Sequence, residues 1–369
     1  MSRLKRYPIP LLILGTSAVA GATYRILAPP SSSSTSSLNP HTFTPYTLVD
    51  KQRVSSTSAI FTLRQQGATE PESVREAWRR GGIWSVQIKQ PQLQIARAYT
   101  PLPSVGVGVQ PGPDGATAVD GDAARELRLL IRQELGGEVS TYLHRLPLDA
   151  QIEVRGPHVE LELPAHVREV VFLAGGTGIA PAMQIARALG ARGHGCRMSV
   201  FWANRRREEC VGGVGDGRGD GKTTRRWTGW FNGLGRGSGD FTQQQHQRQQ
   251  GQDQISLTDR HEDQEKGDIV KELEALKSQN TSQRPFDLSL HYYVDEERTF
   301  IQPSEIARRI GQPRDEGGVG SRVIVVSGPE GFLEHWAGKK RWAGGREVQG
   351  PLGGQLGRMD LRGWEVVKL

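Results

Sequence analysis

A chain of 369 residues and 40.6 kDa holds two domains or one large one. Its 36% hydrophobic content and mean hydropathy of −0.50 indicate folded parts diluted by polar filler, and its two cysteines, Cys196 and Cys210, exclude a disulfide scaffold and any site needing four thiolates. Of the net +7, Arg3, Lys5, Arg6 and Arg25 supply +4 within residues 1–30, so the other 339 residues carry only +3, a weak electrostatic footprint for nucleic acid.

The N-terminus is basic and is followed by an uncharged run from Tyr7 to Tyr24, 18 residues long, the lower limit for crossing a hydrocarbon core. Pro29, Pro30 and Ser31–Ser34 end any helix there. Three readings remain open: a cleaved signal peptide with Ala18-Val19-Ala20 as its small-residue site, an anchor in another membrane, or an anchor with mitochondrial import. Basic residues without acids and hydroxyl-rich flanks fit the last, which is the expectation for residues 1–28. With the basic end on the side of origin, the body faces the other side. A linker over 29–42 follows.

From Phe43 the chain alternates apolar and polar residues in TLVDKQRV, AIFTLRQ, IWSVQIKQPQLQIARAYTPL, ELRLLIRQE and QIEVRGPHVELELP. The period of two predicts antiparallel strands, and so many short strands over 43–164 predict a small barrel. Gln66–Gly82 and Ser104–Asp122, rich in Gly, Pro and charge, are expected to be surface insertions. After Pro164 the pattern changes. VREVVFLAGG, MSVFWAN, LSLHYYVD, RVIVVSG and WEVVKL read as strands, separated by helical spacing over Ile179–Ala191, Asp268–Lys277, Pro303–Ile310 and Gly331–Ala337. Alternation of strand and helix over 165–369 predicts a parallel sheet with helices on both faces. Residues 211–240 hold 11 glycines and 241–254 hold 8 glutamines, too little apolar surface to offset chain entropy, so about 208–266 is expected to be a disordered insertion.

Three segments carry chemistry together. Arg97-Ala98-Tyr99-Thr100-Pro101 offers a phosphate-pairing guanidinium, an aromatic face and a hydroxyl at a strand end. Gly136-Gly137-Glu138-Val139-Ser140 lets the backbone approach a ligand, with Ser140 expected to cap a following helix. Gly175-Gly176-Thr177-Gly178-Ile179-Ala180-Pro181 runs from a buried strand into a helix, with no side chains in the way of a phosphate and a positive helix end facing it. It is not the G-x-G-x-x-G fingerprint. His144, His158, His166 and His194 lack paired ligand spacing, so no metal site is expected. Arg205-Arg206-Arg207, after the second parallel strand, favours a 2′-phosphate and hence NADPH over NADH, with a basic flank to the insertion as the alternative.

Arg-x-Tyr-Thr, then Gly-x-x-Ser, then Gly-Gly-Thr-Gly-x-x-Pro, in this order, resembles the ferredoxin–NADP+ reductase superfamily and within it the cytochrome b5 reductase type. The resemblance implies an antiparallel FAD-binding barrel followed by an NAD(P)H-binding α/β domain. It implies that Arg97, Tyr99 and Thr100 hold the flavin, that Gly137, Val139 and Ser140 take its phosphates, and that Arg155-Gly156-Pro157 lies on the barrel's closing strand. Gly175, Gly176, Thr177 and Gly178 then border the nicotinamide nucleotide, with Gly328 and Pro329 opposite and Thr177 and Ser327 nearest the reacting centre. The family's usual Cys-Gly-Pro is Ser327-Gly328-Pro329 here, and the terminal aromatic is missing. Since the flavin carries the chemistry, the expectation is an altered rate, not loss of activity.

Gly328-Pro329-Glu330-Gly331-Phe332, His335-Trp336-Ala337-Gly338-Lys339 and Gly350-Pro351-Leu352-Gly353-Gly354 resemble the fungal mitochondrial cytochrome c import factors. That resemblance implies an inner-membrane flavoprotein facing the intermembrane space. Its partners would be haem or apocytochrome c and the haem-attachment machinery. The expected activity is passage of electrons from NADPH or NADH through FAD to ferric haem or a haem protein. A flavin-binding assembly factor without turnover and a general cytochrome b5 reductase remain the alternatives.

Overall fold

The computed structural model describes residues 37–65, 70–104, 110–111, 117–118, 126–192, 195–216, 265–278, 286–311 and 321–369. The expected anchor over 1–28 lies outside them, as does most of the expected insertion. Among the described residues no helix is long and apolar enough to cross a membrane.

Strands β1 (Thr44–Arg53), β2 (Ser58–Gln65), β3 (Ile83–Gln90), β4 (Ile95–Tyr99), β7 (Glu126–Arg132) and β8 (Gln151–Leu161) form one antiparallel sheet in the order β4-β3-β8-β1-β2-β7. A single bridge between Pro101 and Leu129 joins its two edges and closes a barrel. Period-two side chains from these strands (Leu48, Phe61, Leu63, Val86, Ile88, Leu129, Ile152, Val154) fill the interior. Between β4 and β7 a two-residue ladder, β5 (Gln110–Pro111) with β6 (Thr117–Ala118), is the described part of the expected surface insertion there. Arg155-Gly156-Pro157 lies within β8, between β3 and β1, rather than at a sheet edge.

The described part of the first expected insertion, residues 70–82, is structured. Within Gln66–Gly82, residues Glu72–Arg80 form helix α1, with Val74 and Ala77 buried and Trp78 edge-on to Trp84 at 4.9 Å. Two short-range apolar contacts in a run of nine residues give little periodic signal, and the exposed pairs of Arg75, Arg79 and Arg80 with Glu72 and Glu76 made the segment read as loop. Helix α2 (Glu138–Arg145) follows β7. Ser140 does not cap it: the N-cap is Gly137, and Ser140 Oγ, inside the helix, accepts from Glu134 N–H and donates to the Gly137 carbonyl.

The second sheet is parallel, in the order β11 (Phe286–Val294), β10 (Cys196–Asn204), β9 (Glu169–Gly175), β12 (Arg322–Ser327), β15 (Glu365–Lys368). Its strands are almost continuously buried, as a sheet covered on both faces requires. Helices α3 (Ile179–Arg192) and α4 (Asp268–Ser278) pack on one face; α5 (Pro303–Ile310) and α6 (Glu330–Ala337) pack on the other. The switch point lies between β9 and β12, where consecutive connections leave in opposite directions, so the crevice at their C-terminal ends is the place for a ligand.

Helix α3 is buried nearly all round, from Ile179 through Leu189, instead of on one side as its spacing predicted. It is wedged between the parallel sheet and the barrel, and Ile60, Ile83, Leu102 and Leu130 of the barrel share its core. Gln184 is the polar exception at 2% exposure. Its amide oxygen accepts from Trp84 N–H at 2.9 Å, and its amide nitrogen donates to the carbonyls of Trp84 and Pro101 at 3.2 and 2.8 Å.

Residues 208–216, expected to begin the insertion, are folded instead. A short 3-10 turn at Arg207–Cys210 buries Glu209 and Cys210, and Asp216 accepts hydrogen bonds from Leu290 N–H and Lys277 Nζ. The glycines of this stretch fit tight packing: a Cβ on Gly213 would lie 2.7 Å from the Tyr292 ring.

Candidate functional site

Three loops meet at the switch point. The first follows β9, where Gly176–Gly178 form one 3-10 turn leading into α3. Gly176 adopts φ +53, and a Cβ there would stand 3.0 Å from the Arg132 guanidinium. A Cβ on Gly178 would lie 2.4 Å from the Ser327 carbonyl oxygen, so this glycine is what lets the ends of β9 and β12 touch. Trp202, buried on β10, donates its indole N–H to the Gly176 carbonyl at 2.9 Å and fixes the loop.

The second loop is Ser327-Gly328-Pro329, after β12. Ser327 is buried, and Gly328 takes φ +155 with its added Cβ 3.1 Å from Gly175. Phe332, in the first turn of α6, lays its ring against Gly175. Thr177 is half-buried between these loops. The third loop follows β10, where Asn204 is 2% exposed and neither its amide oxygen nor its amide nitrogen has a partner.

A cavity of about 420 Å³ opens here, lined by Arg132, Gly175, Gly176, Asn204, Pro329, Phe332 and Trp336 among others. Arg132, from the end of barrel strand β7, is paired with the buried Glu209 across the two domains, and its Nε has no partner. The orphaned Asn204 amide, the orphaned Arg132 Nε and the three glycines give a cradle with unused polar groups and no Cβ in the way. A nucleotide phosphate and ribose fit such a donor set. Of the three arginines expected here, Arg205 lines the cavity, Arg206 donates to Ser56 Oγ at 3.0 Å, and Arg207 forms a forked pair with Glu297 that holds its guanidinium more firmly protonated than usual. Of the three, only Arg205 lines the cavity.

On the barrel, the first two motifs lie next to each other. Strand β4 is an edge strand and the least buried of the barrel, with Arg97 exposed and Tyr99 and Thr100 half-buried. Burial pushes the Tyr99 hydroxyl up to about 12, with opposing influences from Arg97 and Glu134, so the phenol stays neutral and β4 lies beside the loop before α2. That loop holds Gly137, whose added Cβ would sit 2.6 Å from Ser140 Oγ. Val139 is 1% exposed in the barrel core, leaving only its backbone N–H to face a ligand. The open Arg97–Tyr99–Thr100 face, next to a glycine-bordered helix start, fits a flavin nucleotide. Arg97, Tyr99, Thr100, Gly137, Val139 and Ser140 do not line the 420 Å³ cavity; the tie between the two sides is Gln184 of α3, the helix after the Gly175–Gly178 turn, which donates to the carbonyl of Pro101, next to Thr100.

A second cavity, about 340 Å³, lies against Ser199, Phe201 and His291 in the middle of β10 and β11, away from the strand ends. Its Arg309 is already bonded to Ser199. Neither cysteine belongs to a site. Both are buried, and burial pushes the Cys210 thiol up to about 11. Among the described residues no group of three or more metal-ligating side chains occurs.

Sequence reading missed Arg132, Glu209, Asn204 and Gln184, none of which lies in a local motif. Trp336 and Gly353-Gly354 gain a structural account. Trp336 is 2% exposed beneath the cavity, and a Cβ on Gly354 would lie 2.4 Å from the His335 carbonyl, where the returning chain crosses the end of α6.

Residues 172–211 match the oxidoreductase NAD-binding domain. An uncharacterised FAD-binding protein of Schizosaccharomyces pombe is 32% identical over 154 residues, covering 41% of this chain and 49% of that protein. The cytochrome c mitochondrial import factor of Saccharomyces cerevisiae is 40% identical over 84 residues, 22% of each chain. NADH-cytochrome b5 reductase 1 of Scheffersomyces stipitis is 27% identical over 185 residues, covering 49% of this chain and 58% of that enzyme. The match thus spans less than two thirds of each of these relatives. Among solved structures, the cytochrome b5 reductase domain of Ulva prolifera nitrate reductase aligns over 90% of this chain and 99% of its own length, with 15% identity and a TM-score of 0.49. Residues 172–211 thus match the oxidoreductase NAD-binding domain, and parts of the chain are similar to NADH-cytochrome b5 reductase, to an FAD-binding protein and to a cytochrome c import factor.

Proposed function

We propose that this protein is an FAD-dependent NAD(P)H oxidoreductase that passes electrons to ferric haem or a haem protein, in support of haem attachment to cytochrome c. The observation that carries the oxidoreductase reading is the switch-point cradle: Gly176 and Gly178, with no room for a Cβ, beside the orphaned polar groups of Asn204 and Arg132. A flavin held there would supply the conversion between uptake of one hydride, carrying two electrons, and release of electrons one at a time. The chain's own residues position and shield. Arg97 neutralises phosphate charge, Tyr99 supplies an aromatic wall and a neutral hydroxyl, and Thr100 a hydroxyl. Backbone N–H groups at Val139 and Ser140, in the first turn of α2, complete the flavin side, while the Gly137 N–H is held by the Glu134 carbonyl and Gly137 contributes only the lack of a side chain.

On the nucleotide side, Gly175, Gly176 and Gly178 with Gly328 and Pro329 admit the nicotinamide nucleotide. Thr177 and Ser327 stand closest to where the two rings would meet, offering hydroxyls and no thiol. Asn204 and Arg132 orient the ribose and phosphate. Arg205 permits NADPH, while the commitment of Arg207 to Glu297 removes one of the arginines that favoured it. The haem reading rests on the import-factor similarity and on the Ser327-Gly328-Pro329 and His335-Trp336 segments. The apolar run from Tyr7 to Tyr24, with basic residues before it, supports an anchor in the mitochondrial inner membrane and a body in the intermembrane space.

Two experiments test this reading. Full-length protein, supplied anaerobically with NADPH or NADH and haemin, should give ferrous haem at a rate that rises with protein concentration. A rate equal to that of nucleotide alone would refute the haem assignment. Alkaline carbonate extraction of mitochondria should leave the chain in the membrane pellet, and release into the supernatant would refute the anchor.

A further inference from the structure

Between α6 and β15 the chain forms a hairpin of two short strands, β13 (Arg341–Ala343) and β14 (Arg346–Val348), paired with each other and, among the described residues, with no other strand. Gly344 and Gly345, at φ +58 and +74, make the two-residue turn that matches strand twist, and a Cβ on either would meet nothing. The hairpin therefore projects into solvent. Every residue of β13 is exposed, and Trp342 is 76% exposed.

A lone two-stranded hairpin is marginal in water, yet the base of this one is clamped. Lys368, 3% exposed at the end of β15, donates from Nζ to the carbonyls of Lys339 and Pro351, one on each leg, at 3.1 and 2.9 Å. Gln349 uses its side-chain amide to bond both the N–H and the carbonyl of Lys368, at 2.7 and 2.9 Å. Gly350 lets the legs close: a Cβ there would sit 2.7 Å from the Lys339 carbonyl. The fold thus fixes in place a hairpin that leaves most of its tryptophan in water. A tryptophan held rigidly in water is pre-organised for a partner that removes it from water.

The arrangement of charge indicates which partner. Residues 338–350 carry four basic residues and one acidic. On the entering leg Trp342-Ala343 and the turn Gly344-Gly345 are uncharged, with Lys339, Lys340 and Arg341 behind them; on the returning leg Arg346 stands opposite Ala343 and Glu347 opposite Trp342. Lys340 pairs with Glu347 and Lys339 with Glu334, both through partly exposed groups that lend little energy. Arg341 has no ion-pair partner among the described residues. Burial, reinforced by the positive field of Lys340 and Arg341, makes the Lys368 ammonium easier to deprotonate than usual. An exposed indole on a hairpin of net positive charge, its one carboxylate paired with Lys340, matches a bilayer surface with anionic headgroups. Tryptophan prefers the interface, and each lysine or arginine near an anionic leaflet is attracted within a Debye length.

We infer that the β13–β14 hairpin docks on an anionic membrane surface, with Trp342 in the headgroup layer. This deepens the membrane-bound reading and rests on it for a nearby bilayer. A tethered body would find the surface at high effective concentration, so even a weak contact would be occupied and would set the orientation of the domain.

The test uses the full chain with vesicles of phosphatidylcholine alone and of phosphatidylcholine mixed with phosphatidylglycerol. Amide hydrogen exchange over residues 338–350 is read, together with the difference in emission between the native chain and Trp342→Phe. The expected result is a blue shift of the Trp342 emission and exchange slowed by about tenfold in anionic vesicles only. Both should be lost in Arg341→Glu and in Trp342→Ala, surface changes that leave the clamped base intact. Identical exchange and emission in the two vesicle types would overturn the inference. So would protection that appears only on adding an acidic soluble protein such as cytochrome b5. Carbonate extraction separates this from the anchor: release of the chain with a protected hairpin would remove the anchor and leave the docking surface standing.

Discussion

Replacing Gln184 by methionine removes the amide but keeps nearly the same volume. The amide makes three hydrogen bonds, to Trp84 N–H, Trp84 C=O and Pro101 C=O, between groups that water does not reach. A buried backbone group deprived of its partner costs about 1–3 kcal/mol. With partial relaxation at three such groups, Gln184→Met should destabilise by about 3 kcal/mol. The loss falls on the barrel–sheet interface, and Pro101 directly follows the Arg97–Thr100 segment, so flavin retention should weaken as well. Urea unfolding followed by tryptophan emission gives the stability, and flavin content after gel filtration gives the retention. A midpoint corresponding to less than about 1 kcal/mol of destabilisation would refute the claim that this side chain locks the two domains together.

The ion pair of Arg132 with Glu209 is buried on both sides, at 8% and 6% side-chain exposure, so Glu209→Gln should cost about 3–5 kcal/mol, and the double change to apolar residues less than the sum of the singles. A double-mutant cycle by chemical denaturation measures that coupling; strict additivity would contradict it. Gly178→Ala forces the ends of β9 and β12 apart and should cost about 1–3 kcal/mol and weaken nucleotide binding, as read by denaturation and by NADH titration. The Cys210 thiol and the Tyr99 phenol are both pushed up by burial, to about 11 and about 12, so their neutral forms stabilise the native state at neutral pH. That contribution is lost as pH rises from the unfolded values near 9.0 and 10.0 through the folded ones, and melting temperature should fall across that alkaline window. At mildly alkaline pH a thiol reagent should find no reactive cysteine until the protein is unfolded.

What the sequence could reveal followed from how far each signal reaches along the chain. The strands of both sheets announce themselves through period-two alternation or continuous apolar runs, and the Gly175–Gly178 turn through composition alone. Helix α1 was lost because its buried contacts, Val74 and Ala77, are two in nine residues dominated by charge. Arg132 with Glu209, and Gln184 with Trp84, are partners 77 and 100 residues apart, and no window of sequence links them. The folded stretch 208–216 was masked by its glycines, which here serve close packing against Tyr292 rather than freedom. The clamped hairpin depends on Lys368, whose role is invisible in a chain end reading Val-Val-Lys-Leu.

The central claim is that the crevice between the barrel edge and the Gly175–Gly178 loop holds a flavin that a nicotinamide nucleotide reduces. The most direct measurement is the absorbance spectrum of the purified full-length protein before and after anaerobic addition of NADPH or NADH. Bound flavin that bleaches with at least one of the two nucleotides is the expected result. Correctly folded protein without flavin, even after incubation with FAD, or flavin that neither nucleotide bleaches, would contradict it.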